Sequence, residues 1–318
     1  MGSAAFALPT LERLFEKGHS ISGVITQPDK PAGRGQMMQG PPVKKIAFDL
    51  HLPVYQPKSI KDDEARALFD ALAPEMIIVV AYGKILPPWL IRFAPHGAVN
   101  LHGSLLPKYR GAAPVHWAVA NGETETGVCS MKIDEGLDTG PIFACEKTPI
   151  GSDESVQQVY DRLAAMGAGL IERTVQGIVD GTLQARPQDD SLATAAPMLK
   201  KEHGYMDWLM PALSIHNRVR AFNPWPGTVT KFRGGLCKIL RTRVVDAHAA
   251  LTSGVSQRER NPGVLVASKQ SLAVVCGDSS MLEILSIQPE NRKAVSGADF
   301  ANGARIRAGE KFESHLKA

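Results

Sequence analysis

The sequence has no long hydrophobic run and few cysteines. No stretch of the 318 residues approaches the roughly 18 consecutive apolar residues of a membrane span, so we expect no membrane partner. The cysteines lack the short paired spacings of zinc and redox motifs, so we expect no metal centre. We therefore expect Cys129, Cys145, Cys237 and Cys276 to be unpaired thiols. This suits a reducing, cytoplasmic compartment.

The sequence also lacks internal repeats, low-complexity tracts and a strong overall charge. Its length allows two domains, and 44% hydrophobic with 21% charged residues is typical of globular proteins. The net charge of +4 is unevenly divided. Residues 1–199 contain 18 Lys and Arg against 22 Asp and Glu, whereas residues 200–318 contain 18 against 10. The basic C-terminal part indicates either a polyanionic partner such as nucleic acid or a solvated basic surface.

The first two thirds of the chain alternate short apolar runs with helix-like segments. We predict strands at 22–26, 76–81, 98–101 and 127–131. We predict helices at 11–17, 42–50, 62–72, 112–120 and 155–180. This alternation predicts an α/β domain with a doubly wound, mostly parallel sheet of the Rossmann-like type.

The pattern changes after Gly181. Residues 182–200 are polar and aperiodic, which predicts a linker between a domain at 1–181 and a second at 201–318. Five β-like runs separated by glycines follow, and they favour a small β-barrel or a sandwich. A five-stranded barrel of the oligonucleotide-binding (OB-like) type fits this count, although the count does not single it out. The runs are 228–232, 237–242, 263–267, 272–276 and 282–287.

The N-terminus departs from the doubly wound pattern. Such a sheet normally opens with a central strand and a glycine-rich turn, yet this chain begins almost directly in the helix at 11–17. We expect that the first β-strand is missing because the start is set too late; the alternative is a protein that lacks the strand and folds poorly. Losing a central strand leaves its two neighbours with unpaired edges.

The strongest chemical signal comes from three polar residues. Asn100 and His102 lie two apart at the end of a predicted strand, so their side chains share one face. Asp138 follows on a glycine-flanked turn. An amide donor, an imidazole and an orienting carboxylate are the groups needed for acyl transfer through a tetrahedral intermediate. Taken alone, the same residues could be an ordinary polar pair and a turn aspartate.

The sequence around these residues resembles the signature of the folate-dependent formyltransferases. The matching motifs are Asn100-x-His102-x-Ser-Leu-Leu-Pro-x-x-Arg-Gly and Gly136-Leu-Asp138-Thr-Gly. The resemblance implies 10-formyltetrahydrofolate as formyl donor, with Asn100, His102 and Asp138 as catalytic residues. It also implies a folate pocket lined by Ser104, Leu105, Leu106 and Pro107.

Two further segments resemble one branch of that family, the methionyl-tRNA formyltransferases. They are a basic loop at 27–35 and the run at 220–227, and the resemblance extends over essentially the whole chain. It implies a monomer that formylates the α-amino group of methionyl-initiator tRNA. Around the loop, no carboxylate lies between Lys30 and Phe48, which suits phosphate contacts. The expected tRNA-binding residues are Lys30, Arg34, Lys44 and Lys45.

Two other functions stay open at this stage. A formyltransferase acting on a sugar-nucleotide amine would share the three catalytic residues but would not need a basic C-terminal half. A catalytically silent RNA-binding relative would keep the basic half without turnover.

Overall fold

The computed structural model describes residues 1–32, 37–245 and 261–314, which form two compact units. The first comprises Met1–Val115, Glu125–Pro149 and Gln157–Pro197. The second comprises His116–Thr124, Ile150–Val156 and the described residues from Met198 onward. Residues 182–197, predicted as linker, therefore belong to the first unit, whereas the domain limits predicted from the sequence stay a prediction.

The alternation of strands and helices predicted for the first part of the chain is confirmed. The strands there are β1 (Val24–Ile25), β2 (Lys30–Ala32), β3 (Met37–Gln39), β4 (Val54–Tyr55), β5 (Ile77–Val80), β6 (Ala98–His102), β7 (Glu125–Lys132) and β8 (Ile142–Pro149). The helices are α1 (Leu8–Glu16), α2 (Pro42–Asp49), α3 (Asp63–Leu72), α4 (Pro88–Ile91), α5 (Pro114–Ala120) and α6 (Val156–Val179).

The main sheet of the first unit has the order β5-β6-β7-β8 and positions the candidate site. β5 pairs with β6 in parallel, as does β1 with β4, which confirms the Rossmann-like character. β7 pairs antiparallel with both β6 and β8. The prediction missed β8, which follows β7 through a short loop; strands joined in this way pair antiparallel.

Residues Met1 and Gly2 lie between β1 and β5. The Met1 amine donates to the carbonyl of Ile78 at 2.6 Å, and the N–H of Val80 donates to Met1 at 2.9 Å. On the other side, the N–H of Gly2 donates to the carbonyl of Ile25 at 3.0 Å. A cavity of about 560 Å³ adjoins them, lined by residues of β1, β5 and α1. The expectation of a missing first strand stays a prediction.

Burial of the Met1 amine gives the chain a testable pH dependence. Burial lowers the pKa of this amine from 8.0 to about 5. Between these values the unfolded chain binds a proton that the folded chain does not, which favours unfolding as the pH falls. We expect this contribution to the free energy of unfolding to decrease between about pH 8 and about pH 5.

Urea unfolding across that pH range, compared with an N-terminally acetylated chain, isolates the contribution of the amine. Acetylation removes the titrating group and leaves the histidines and carboxylates of both forms alike. The unfolding free energy of the free-amine chain should therefore fall relative to the acetylated form as the pH is lowered. A difference that does not change with pH would contradict the burial of the amine.

The expectation of four unpaired thiols is wrong for two of them. Cys129 on β7 and Cys145 on β8 form a disulfide. The antiparallel register places these two residues directly opposite each other, so their side chains share one face of the sheet. Nothing in their separation along the sequence indicates that register. Cys237 and Cys276 are buried free thiols, and burial raises the pKa of Cys276 to about 12.

The second unit contains a six-stranded antiparallel sheet of order β11-β12-β13-β10-β9, with β14 paired to β13. The strands are β9 (Thr228–Phe232), β10 (Gly235–Val245), β11 (Leu265–Ala267), β12 (Leu272–Val275), β13 (Met281–Pro289) and β14 (Val295–Ser296). Between residues 198 and 314, leaving aside 246–260, the described helices are α7 (Ala212–Phe222) and α8 (Gly297–Ala304). All five of the strand runs predicted for this part of the chain are confirmed.

A short C-terminal stretch closes this sheet into a barrel. Glu313 and Lys231 of β9 exchange two backbone hydrogen bonds of 2.9 and 3.3 Å. On the other side of the stretch, the N–H of Phe312 donates to Gly263 at 2.9 Å, just before β11. Inside, Phe312 stacks on the fully buried Trp208 with ring centroids 5.6 Å apart. The closure decides between barrel and sandwich, which the strand count left open.

No described helix combines the length and the apolar character that crossing a membrane requires. Across the same described ranges, no group of three or more His, Cys, Asp or Glu side chains could hold a metal ion.

Candidate active site

Strand β6 presents Asn100 and His102 on the face of the sheet that turns away from α6. The intervening Leu101 packs against α6, where a Cβ on Gly167 would lie 2.4 Å from the Leu101 Cδ2 atom. Neighbouring side chains on a strand point to opposite faces, so residues 100 and 102 share the other one. His102 is buried at the end of the strand, and Asn100 is partly buried.

The His102 ring lies between two oxygen atoms. Its Nε2 atom is 2.9 Å from the Tyr109 carbonyl, and its Nδ1 atom is 3.7 Å from Oδ2 of Asp138. A carbonyl oxygen only accepts hydrogen bonds, so Nε2 carries a proton and donates it. Nδ1 therefore faces the Asp138 carboxylate, which is placed to orient the ring.

Asp138 reaches His102 from a constrained turn. Its backbone φ is 53°, in the left-handed region that favours glycine. Its Oδ2 atom accepts a hydrogen bond of 2.9 Å from the N–H of Gly111. At Gly140, a Cβ would lie only 1.8 Å from the Lys132 carbonyl, so the turn cannot accommodate a side chain there. The Asp-Thr-Gly turn thus directs its carboxylate at the imidazole.

Asn100 completes the group of three. Within the part of the chain that the structure describes, its side-chain amide has no hydrogen-bond partner, although the residue is partly buried. A partly buried amide without an internal partner is free to bind a ligand. The arrangement therefore combines an available amide donor with a histidine–carboxylate pair, on one face of the sheet.

The structure divides the four residues predicted to line the folate pocket. Ser104 is fully buried, and its hydroxyl donates to the Lys108 carbonyl at 2.6 Å. Leu106 is buried in a cluster with Cys129, Met131 and Ile142. Leu105 and Pro107 are partly exposed. Ser104 and Leu106 therefore shape the loop from within, and Leu105 and Pro107 keep surface that a ligand could contact.

Three of the residues predicted to bind tRNA, Lys30, Lys44 and Lys45, lie in or near the β2–β3 hairpin. Lys30 and Lys45 are exposed. Lys44 forms an ion pair of 2.7 Å with Asp29, and this contact lowers the pKa of the Asp29 carboxyl. The charge of Lys44 is therefore partly neutralised. Its partner Asp29 lies just before the stretch between Lys30 and Phe48, which contains no carboxylate. Arg34 lies outside the described residues.

Sequence reasoning missed Gln188, which lies in the segment predicted as linker. Its side-chain amide donates to the carbonyls of Asp138 at 2.8 Å and Gly140 at 2.7 Å. Its oxygen accepts from Arg110 at 2.8 Å. A single glutamine in a polar, aperiodic stretch gives no signal that distinguishes it from its neighbours.

The tight turn after Asp138 predicts a sharp effect of a small substitution. In Gly140→Ala the new methyl group overlaps the Lys132 carbonyl, so the turn must shift and carry Asp138 with it. If the turn holds a catalytic carboxylate, a shift of this kind should lower kcat/KM for formyl transfer about 100-fold. Steady-state kinetics of the purified variant measure the effect.

Gly303→Ala is the matched control for that substitution. Gly303 lies in α8, and no heavy atom lies within 4 Å of the place that a methyl group would take there. Alanine at this position should leave activity unchanged and raise the unfolding free energy by up to about 1 kcal/mol. Parental activity in Gly140→Ala would show that the position of this turn does not matter for the reaction.

Comparison with known proteins identifies the family of the chain. The sequence model of the formyl transferase family matches residues 1–175, and that of the formyl transferase C-terminal domain matches residues 198–305. The chain is 45% identical over 317 residues to a methionyl-tRNA formyltransferase of Solibacter usitatus, covering 99% of this chain and 98% of that protein. It is 42% identical to a methionyl-tRNA formyltransferase of Trichlorobacter lovleyi, covering 99% and 96% respectively.

Solved structures show the same fold at low sequence identity. The sugar 3N-formyl transferase WlaRD, solved with dTDP and 5-N-formyl-THF, has a TM-score of 0.64 and 18% identity, covering 92% of this chain and 97% of that chain. An N-formyltransferase from Helicobacter canadensis, solved with folinic acid and dTDP-3-aminofucose, has a TM-score of 0.64 and 19% identity, covering 91% and 97%.

The two family matches and the near full-length relatives show that the chain belongs to the formyl transferase family.

Proposed function

We propose that the chain transfers the formyl group of 10-formyltetrahydrofolate to the α-amino group of methionyl-initiator tRNA. The observation that carries the reaction type is the placement of His102 against Asp138, with the available amide of Asn100 on the same strand. The acceptor is supported by the relatives, which are methionyl-tRNA formyltransferases over nearly their whole length. The proposed enzyme is a monomer that acts in the cytoplasm.

The proposed chemistry is a direct attack of the amine on the formyl carbon. A bond forms between the amine nitrogen and that carbon, and the formyl oxygen gains negative charge. The Asn100 amide donates a hydrogen bond to this oxygen. The bond from the carbon to N10 of the folate then breaks, and N10 takes up a proton as the amine loses one. His102 assists this proton transfer, and Asp138 orients the ring and stabilises its cation.

The folate must reach the end of β6 for this step. Leu105 and Pro107 provide partly exposed apolar surface close in sequence to His102, which suits the flat pterin ring. Asn100 supplies the unpaired donor. Ser104 and Leu106 stabilise the loop that carries Leu105 and Pro107. These residues fit the folate without requiring a metal ion for the transfer itself.

A basic strip on the barrel supports a tRNA acceptor. Cys237, Ile239 and Thr242 of β10 are buried, whereas Lys238 and Arg241 on the same strand are exposed. A β-bulge between Ile239 and Arg241 keeps Arg241 on the outer face. Arg243 is exposed too, but it forms an ion pair of 2.6 Å with Glu283. Lys238 and Arg241 are therefore the better candidates for phosphate contacts.

The rival acceptor is a sugar-nucleotide amine. It would use the same three catalytic residues, and the structural relatives that act on sugars share this fold. Their low identity carries no argument about substrate, whereas the relatives with the tRNA acceptor match at 42–45% over the full length. A small acceptor would also not need the basic C-terminal half of the chain.

Formyl transfer to both acceptors, measured side by side, tests the proposal. The enzyme is supplied with 10-formyltetrahydrofolate and either charged initiator methionyl-tRNA or a dTDP-amino sugar. We expect turnover with the tRNA and no competition by the sugar nucleotide. Transfer to the sugar nucleotide alone would establish the rival function. No transfer to either would favour the silent RNA-binding alternative.

Removing either proposed catalytic group should abolish most of the activity without unfolding the protein. Loss of one donor to a developing oxyanion typically costs on the order of 100- to 1000-fold in rate. We expect Asn100→Ala and His102→Ala each to reduce kcat by about that factor. Thermal unfolding of both variants checks that the fold is kept, and near-parental kcat in His102→Ala would contradict its assigned role.

Charge reversal on the barrel should weaken tRNA binding. If Lys238 and Arg241 each contact a phosphate, the double variant Lys238→Glu/Arg241→Glu should reduce the slope of log K against log salt by about two. Binding of initiator tRNA at several salt concentrations measures this slope. The double variant Lys58→Glu/Lys61→Glu, at two exposed lysines of the first unit, is the charge-matched control. An unchanged slope in the barrel variant would remove this strip from the tRNA site.

A further inference from the structure

Residues 186–196, here called the clasp, contact two loops of the first unit. One is the loop after β6 (residues 103–113), and the other joins β7 to β8 (residues 133–141). Arg186 and Ile142 exchange two backbone hydrogen bonds of 2.8 Å, just beyond the turn that carries Asp138. At the other end, the N–H of Arg110 donates to the Thr194 carbonyl at 2.8 Å, and the N–H of Ala196 donates to the Arg110 carbonyl at 2.7 Å. The clasp is therefore fixed to both loops by main-chain bonds.

Gln188, within the clasp, connects the same two loops through its side chain. Its Nε2 atom donates to the carbonyls of Asp138 and Gly140, at 2.8 and 2.7 Å. Its Oε1 atom accepts from Nε and Nη2 of Arg110, at 3.1 and 2.8 Å. Carbonyls only accept and a guanidinium only donates, so the amide has one possible orientation and all its donors are used.

These two loops carry the two oxygens that face His102. The Tyr109 carbonyl accepts from Nε2, and the Asp138 carboxylate faces Nδ1. Both residues have positive φ, 62° for Tyr109 and 53° for Asp138, so each backbone needs outside support. The clasp supplies it: the N–H of Tyr109 donates to the Thr194 hydroxyl at 2.8 Å, and Gln188 binds the Asp138 carbonyl.

We propose that Gln188 is a positioning residue for formyl transfer, which ties together the two loops whose oxygens hold the His102 ring. The inference rests on the roles proposed above for His102 and Asp138. Gln188 acts through Asp138 and Arg110, and its effect belongs to the chemical step.

Gln188→Met tests this, because methionine keeps the length of the side chain and removes all four hydrogen bonds. A displacement of the Asp138 turn by a fraction of an ångström should lower kcat about 10- to 100-fold. KM for the tRNA should stay close to the parental value. Gln176→Met is the matched control: Gln176 is exposed on α6, its amide binds Asp180, and its replacement should leave kcat unchanged.

A double-mutant cycle with Asp138→Asn separates positioning from a general loss of structure. If Gln188 acts through the Asp138 carboxylate, adding Gln188→Met to Asp138→Asn should lower kcat little further. Full multiplication of the two effects would overturn the proposal, as would a kcat of Gln188→Met equal to that of the parent. Parental activity in Asp138→Asn alone would instead overturn the catalytic roles on which the inference rests.

Gln188→Glu keeps the test available if the methionine variant does not fold. Glutamate retains the contact with Arg110 but turns a carboxylate oxygen toward the two carbonyls of the Asp138 turn. It should lower kcat to a similar extent as methionine does. A parental kcat in this variant would overturn the proposal.

Discussion

The candidate active site depends on how the His102 ring is held between a backbone carbonyl and a carboxylate. Neither oxygen comes from the strand that carries the histidine. The carbonyl belongs to Tyr109 and the carboxylate to Asp138, on two loops that follow different strands. Both residues adopt backbone conformations that favour glycine, so neither loop would keep its position by local preference alone. The geometry of the histidine is thus a property of tertiary contacts.

This constraint gives the polar segment after α6 a role. Residues 186–195 are exposed or only partly buried, and main-chain hydrogen bonds join the segment to both loops. A segment of this kind can hold two loops in register without contributing to the hydrophobic core. Gln188 lies in this segment, and its side chain forms two hydrogen bonds with each loop.

Much of the fold was predictable from the sequence, because its signals are local. The buried run ending in Asn100-x-His102 indicates a strand with two polar residues on one face, and this strand is present as β6. The apolar alternation in the C-terminal part correctly indicates its strands. The direction of β7, the strand β8 and the pairing of Cys129 with Cys145 depend on register between distant segments, which periodicity does not reveal.

The candidate site was predictable to the same extent. The residue types of Asn100, His102 and Asp138 and the motifs around them indicate acyl transfer. The buried positions of Ser104 and Leu106 depend on how the loop packs, which the sequence alone does not show. The ion pair between Lys44 and Asp29 could not be predicted, because the two residues lie on opposite sides of the hairpin in the sequence. The contribution of residues 186–196 could not be predicted, since backbone hydrogen bonds leave no pattern of side chains.

The most direct test of the account is a crystal structure of the chain with a non-transferring 10-formyl folate analogue. We expect a formyl oxygen about 3 Å from the Asn100 amide nitrogen, with His102 still facing Asp138 and the pterin against Leu105 and Pro107. A folate bound away from the end of β6, or one whose formyl group does not reach Asn100, would contradict it.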